Sequence, residues 1–161
     1  MSTSTSLLEL QDMLNTQGLT AALKFMNARV PHRFTAVYQL SDAYLRRLGY
    51  VDKDGGLGPE SAKVPFKDSF CELAVSKGLL LVTDSTADVR LPQLPNPFMI
   101  GSYVGLPLSI EPGMLYGTFC HYDTCSHPLS DDELLFLQQA SQLLTRYCLQ
   151  PGVPLDALAT A

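Results

Sequence analysis

The sequence has no tryptophan, no CxxC pair, no basic cluster and no unbroken apolar run. Each absence excludes something. The formal charge is −5, and the one adjacent basic pair is Arg46-Arg47. An acidic chain without a Lys/Arg cluster is a poor match for phosphate backbones, so no nucleic-acid partner is expected. The charge-free run from Leu91 to Ile110 contains Pro92, Pro95, Pro97 and Pro107, so it does not read as a membrane-spanning helix. The start, MSTSTSLLELQDML, lacks the basic n-region and apolar h-region of a signal peptide. A cytoplasmic protein with no membrane partner is the expectation. There Cys71, Cys120, Cys125 and Cys148 stay reduced.

What is present is a chain of 161 residues, 46% hydrophobic and 17% charged. That length suits one domain with a real core. The core is expected over about 5–150, with 151–161 as a loose tail. Leu7, Leu10 and Leu14 share a helical face, and Gly18 marks a stop. A second helix is predicted from Leu19 to about Ala28. RFTAVYQLS alternates as a half-buried strand, Ser41-Asp42 turns it, and AYLRRLGYV returns. Asp52 to Lys63 reads as a polar loop. PFKDSFCELAVSKG reads as a helix ended by Lys77-Gly78, and Leu79 to Thr83 as a short buried strand. DSTADVRLPQLPNPFMIG is mostly loop, with room for one helical turn. Ser102 to Ile110 and Leu115 to Tyr122 are strands around a Pro112-Gly113 turn. Ser130 and Glu133 form a capping box for a helix running to about Leu149. The order α–α–β–β–α–β–loop–β–β–α, with both hairpins antiparallel, defines an α+β fold around a sheet of five or six strands.

LLLVTDSTADVRL, then MIGSYVGLPLSIEPGMLYGTFCHYD, then PLSDDELLFLQQASQLLTRYCL resembles a GAF domain. The carriers are a strand ending in Asp, a nearby Asp and Arg, a Ser-Tyr-x-Gly-x-Pro-Leu strand, a Gly-Thr-Phe-Cys strand and an acid-capped last helix. The resemblance covers roughly residues 5 to 150. It implies an antiparallel sheet with the N- and C-terminal helices packed together on one face. On the other face, helices and loops enclose a small-molecule pocket. It also implies a sensory role, an unidentified small ligand and a homodimer formed through the terminal helices. No output-domain signature follows Leu149, so a separate output protein is the expected reader. The Asn-Lys-Phe-Asp-Glu set of cyclic-nucleotide GAF domains is not present, and the cofactor stays unknown. The bilin-bearing cysteine is not carried over. One branch of the family reduces free methionine sulfoxide, and no cysteine is carried over from it.

The ligand-binding candidates are Cys71, Asp84, Arg90, Ser102, Tyr103, Thr118 and Cys120. Hydroxyls among aromatic walls suit a small polar metabolite, although half-buried sheet residues of the same types are common. Arg90 offers a guanidinium to an anion or tethers a loop to an Asp. Asp84-Ser85-Thr86 also reads as a cap. Cys120 and His121 are neighbours on a strand and point to opposite faces, so they are not a nucleophile pair. The spacing C-H-x3-C-x-H around Cys120, His121, Cys125 and His127 matches no zinc knuckle, and no metal is expected. The chain reads as a ligand-binding domain rather than an enzyme, with no catalytic residue assigned. The competing reading is a thiol redox sensor or small reductase using Cys71 and Cys120, if they approach across the pocket.

Overall fold

The computed structural model describes residues 3–56, 63–67, 69–88, 100–109, 111 and 114–150. Among these, four helices and six strands follow in the order α1 (Thr3–Thr16), α2 (Leu19–Asn27), β1 (Phe34–Ser41), β2 (Tyr44–Asp52), β3 (Lys63–Pro65), α3 (Phe70–Lys77), β4 (Leu80–Val82), β5 (Ser102–Ser109), β6 (Leu115–Asp123) and α4 (Asp131–Leu149). A 3-10 turn at Ser85–Ala87 follows β4. The sheet order is β3-β2-β1-β6-β5-β4, and every neighbouring pair is antiparallel. This is the expected α+β arrangement. The Pro112-Gly113 turn, the tail 151–161 and the proline-rich run 91–98 lie outside the described residues.

Alternation along the strands divides the core in two. Val37, Leu48, Val104, Leu106, Leu108 and Phe119 meet α1, α2 and α4 through Leu10, Leu23, Met26, Phe136, Leu137 and Leu144. Ala36, Tyr38, Leu45, Tyr103 and Cys120 face the other way and meet α3 through Phe70, Cys71 and Ala74. β5 therefore contributes to both layers, with odd-numbered Tyr103 on one and even-numbered Val104 on the other. Each fully buried Leu or Phe stabilises the fold by about 1.5–3 kcal/mol, so the helix face carries most of the hydrophobic stabilisation.

The helix starts follow from their caps. Ser130 Oγ accepts from Glu133 N at 3.1 Å, and three acids occupy the first turn of α4. α3 begins later than the sequence suggests, at Phe70 rather than Pro65. Pro65 belongs to β3, where it pairs with Tyr44. Ser69 then caps α3, its Oγ accepting from Glu72 N at 3.1 Å. The Ser69–Glu72 spacing is a capping signal as clear as Ser130–Glu133. α3 ends at Gly78 in the left-handed region, φ 80°.

Candidate functional site

On the α3 side of the sheet, Cys71, Tyr103, Thr118 and Cys120 come together. Tyr103 OH and Thr118 Oγ1 each donate to Cys71 Sγ at 3.4 Å. Cys120 packs in the same buried cluster as Cys71. All of these side chains are buried. Local sequence explains the convergence. Thr118, Cys120 and Tyr122 alternate on β6 and point to one face. Gly105 leaves room for the Tyr103 ring, because a Cβ there would collide with Tyr103 OH. Phe70, with ring centroids 5.1 Å from Tyr103, walls the group from α3. Tyr38 and Tyr122, hydrogen-bonded to each other, close it from β1 and β6. Tyr38 is a member of this face that sequence reasoning missed. Its alternation with Ala36 and Phe34 was the available signal.

The electrostatics separate the two thiols. The neighbouring Cys120 thiol, with the hydrogen bonds from Thr118 and Tyr103, holds Cys71 below the ordinary thiol value despite its burial. The neighbouring Cys71 thiol and burial push Cys120 up. The pair thus loses its first proton from Cys71, where two hydroxyls donate to one sulfur. Burial, then the neighbouring thiols, raise Tyr103 well above the usual phenol range, so it stays a donor.

The remaining candidates lie elsewhere. Asp84 accepts from Thr86 N at 3.1 Å and Thr86 Oγ1 at 2.7 Å, capping the 3-10 turn. Ser102 alternates with Tyr103 toward the helix side, and its Oγ donates to Cys125 O at 2.8 Å. Arg90 lies outside the described residues. A strand neighbour of Tyr103 does not line the same face, and the period-2 rule already separated those two residues in the sequence.

Cys120 and His121 do part to opposite faces. His121 joins a second polar group at the rim of the helix side. Its Nδ1 lies 2.6 Å from Thr35 Oγ1, which accepts from Asn27 Nδ2 at 2.8 Å. His32 stacks on His121 at 6.1 Å and tilts against His127 at 5.1 Å. His127 Nε2 lies 2.9 Å from Asp123 Oδ2 and 3.4 Å from Cys125 Sγ. The chain has three histidines, and all of them are here. Burial, with His127 nearby, lowers His32 to about 4 and burial holds His121 well below the usual imidazole value. Both are therefore neutral, with lone pairs available. Asp123, Cys125 and His127 offer donor atoms within 4.8 Å of one another. Sequence reasoning missed His32 and Asp123 here, because His32 is far away along the chain.

A two-faced antiparallel sheet, with terminal helices on one side and α3 over a polar, aromatic-walled centre on the other, defines a class of small α+β domains. The sequence profile of the GAF domain matches residues 5–146, and the chain belongs to the GAF domain family. Solved structures agree on the fold. The GAF domain of a Coxiella burnetii phosphoenolpyruvate-protein phosphotransferase superposes with TM-score 0.73 at 16% identity, covering 92% of this chain and 93% of that one. The corresponding Acinetobacter domain gives 0.71 at 14%, covering 89% and 90%. Free methionine-R-sulfoxide reductase from Neisseria meningitidis, in complex with its substrate, gives 0.71 at 14%, covering 90% and 87%. At such identities the likeness shows the fold alone. Among curated protein sequences no match is found. Among the described residues no helix is long and apolar enough to cross a membrane.

Proposed function

We propose that this chain is a small-molecule-responsive regulatory domain whose ligand sits against the α3 face of the sheet. The observation that carries the reading is the convergence of Cys71, Tyr103 and Thr118 polar atoms inside aromatic walls. Such a centre suits a small polar metabolite. β5 supplies the relay, because Tyr103 meets the α3 layer while Val104, Leu106 and Leu108 pack in the helix layer with α4. A ligand that favours one packing of β5 biases α4, and a separate output protein reads that bias. The setting is the cytoplasm. The domain works as a homodimer through α1 and α4, whose outer side carries exposed Leu8 and Leu135. It also carries a cavity of about 400 Å³ between Leu7, Gln11, Gln139 and Arg146.

The test is thermal unfolding with amino acids, mononucleotides and sulfoxides, each added alone. A ligand at 100 times its Kd adds about 2.7 kcal/mol, or about 5–10 °C in Tm for a chain of this size. Thr118→Val keeps the shape of the site and removes one hydroxyl, so it abolishes most of that shift. A shift unchanged in Thr118→Val places the ligand elsewhere.

A second reading rests on the meeting of two free thiols, Cys71 and Cys120, in one buried cluster. A hydroperoxide or sulfoxide oxygen would take two electrons from the two thiols. Cys71 and Cys120 would join as a disulfide, and the oxygen would leave as water with both thiol protons. The structural likeness to a sulfoxide reductase is compatible with this chemistry. Cys120→Ser separates the readings: it leaves ligand binding largely intact in a sensor and abolishes turnover in a reductase.

A further inference from the structure

The rim of the helix face carries a set of donors that the ligand-face reading does not use. We propose that Asp123, Cys125 and His127 form a three-ligand site for a divalent transition metal, with the buried His32 imidazole beside it. Zinc is the best match to a set of one imidazole, one thiolate and one carboxylate with an open fourth position. The proposal does not rest on the ligand-face reading, which concerns the opposite side of the sheet.

Three observations carry it. The first is spacing. Zinc bound at about 2.0–2.1 Å to nitrogen and about 2.3 Å to sulfur places tetrahedral donor atoms about 3.3–3.6 Å apart. Cys125 Sγ and His127 Nε2 are 3.4 Å apart, and His127 Nε2 and Asp123 Oδ2 are 2.9 Å apart. A few tenths of an ångström open the second pair to that span. The His32 and His127 ring centroids are 5.1 Å apart, with rings tilted by 60°.

The second observation is an unmet hydrogen-bonding capacity. His32 is 0% exposed, yet neither its Nδ1 nor its Nε2 has a partner. A buried imidazole always carries at least one polar group that needs one. This orphaned imidazole lies against His127, whose Nε2 is one of the three donors. His121, also 0% exposed, bonds Thr35 through Nδ1 and leaves Nε2 unpartnered.

The third is a rigid mount. Asp123 Oδ2 accepts from Arg33 N at 3.1 Å, and Oδ1 accepts from Thr124 N at 2.7 Å. Cys125 O is held by Ser102 Oγ, and His127 N donates to Thr83 O at 3.2 Å. Gly101 packs so closely under this turn that a Cβ would collide with Thr124 O. Lys53, the neighbouring cation, directs Nζ to Asn27 O at 2.5 Å and Asn27 Oδ1 at 2.9 Å. Cys125 is exposed, which gives an ion a way in. Backbone anchoring of this kind orients ligands before the ion arrives.

The test uses the full chain, stripped with a chelator and kept in a non-thiol reductant. Co2+ alone is titrated first and Zn2+ then displaces it. The expected result is one Co2+ per chain, with tetrahedral d–d absorption and a thiolate-to-cobalt charge-transfer band. Cys125→Ser should remove that band and weaken Zn2+ binding by about 100-fold or more, and His127→Gln should weaken it comparably. Cys71→Ser should change neither. Because Cys125 is exposed, Cys125→Ser keeps the test valid should His127→Gln fail to fold. Absence of uptake, or uptake undiminished by Cys125→Ser, overturns the proposal. So does a charge-transfer band that disappears in Cys71→Ser instead.

Discussion

Arg29 ties three helices to one another, and its removal should be measurable. Its NH2 lies 2.9 Å from Glu133 Oε1, and its Nε bonds both Glu133 oxygens at 3.1 and 3.2 Å. NH1 donates to Ser6 Oγ at 3.0 Å, and the guanidinium lies 3.8 Å from the Phe136 ring centroid. Thus α1, the end of α2 and the start of α4 share one cation. The side chains are 23% and 11% exposed, so the pair lies between the surface and the buried case. Surface pairs contribute about 0–1 kcal/mol, and breaking a buried pair costs about 3–5. Arg29→Met keeps some packing on Phe136 and strands Glu133, so a loss of about 2–3 kcal/mol is expected from those bounds. Urea unfolding reads it, with a Tm drop of about 5–10 °C as the thermal counterpart. The pH dependence supplies a second check. Burial, opposed by Arg29, already raises the Glu133 pKa. Without Arg29 it rises further. A carboxyl raised in the folded state stabilises below its unfolded pKa, and that contribution is lost as pH rises through the folded value. The gap between Arg29→Met and Arg29→Met/Glu133→Gln should therefore narrow as pH falls from 7 toward the usual carboxylate range near 4. Additive single mutants in the double-mutant cycle, or a cost under about 0.5 kcal/mol, would refute the coupling.

Further outcomes follow from the two faces of the sheet. Gly105→Ala should displace Tyr103 from Cys71, raise the Cys71 pKa, and cost about 1–3 kcal/mol by overpacking; thiolate absorbance against pH measures the shift. Cys120→Ala removes the thiol beside the Cys71 sulfur and should move Cys71 ionisation upward as well. Phe136→Ala empties a fully buried site beneath Arg29 and should cost about 3–5 kcal/mol in urea. Leu8→Glu changes a side chain 68% exposed on α1, and sedimentation should show the proposed homodimer weakened with the fold intact.

Much of the fold is legible in the chain because its signals are local. Ser130 and Glu133 mark the start of α4, and the alternation from Phe34 marks β1. The late start of α3 was equally local but masked by Phe66, which keeps helical spacing with Phe70 while lying outside the helix. The approach of Cys71 to Cys120 was legible only as a possibility, since it depends on how α3 crosses the sheet. Ser102 was grouped with Tyr103 by residue type, and alternation sets the two on opposite faces. The histidine cluster was not legible at all. His32 follows α2 while His121 and His127 belong to the β6 end, and only the β1–β6 register, with Thr35 opposite His121, brings them together.

Uptake of a small molecule at the Cys71, Tyr103 and Thr118 centre of the α3 face is the proposed property to test first. Native mass spectrometry of freshly purified protein, with and without reductant, tests it most directly. A co-purified small mass, or one taken up from the metabolite panel, that is lost in Thr118→Val is the expected result. An apo mass throughout would contradict it, as would an oxidant-induced loss of about two daltons from disulfide formation at Cys71 and Cys120 as the sole change.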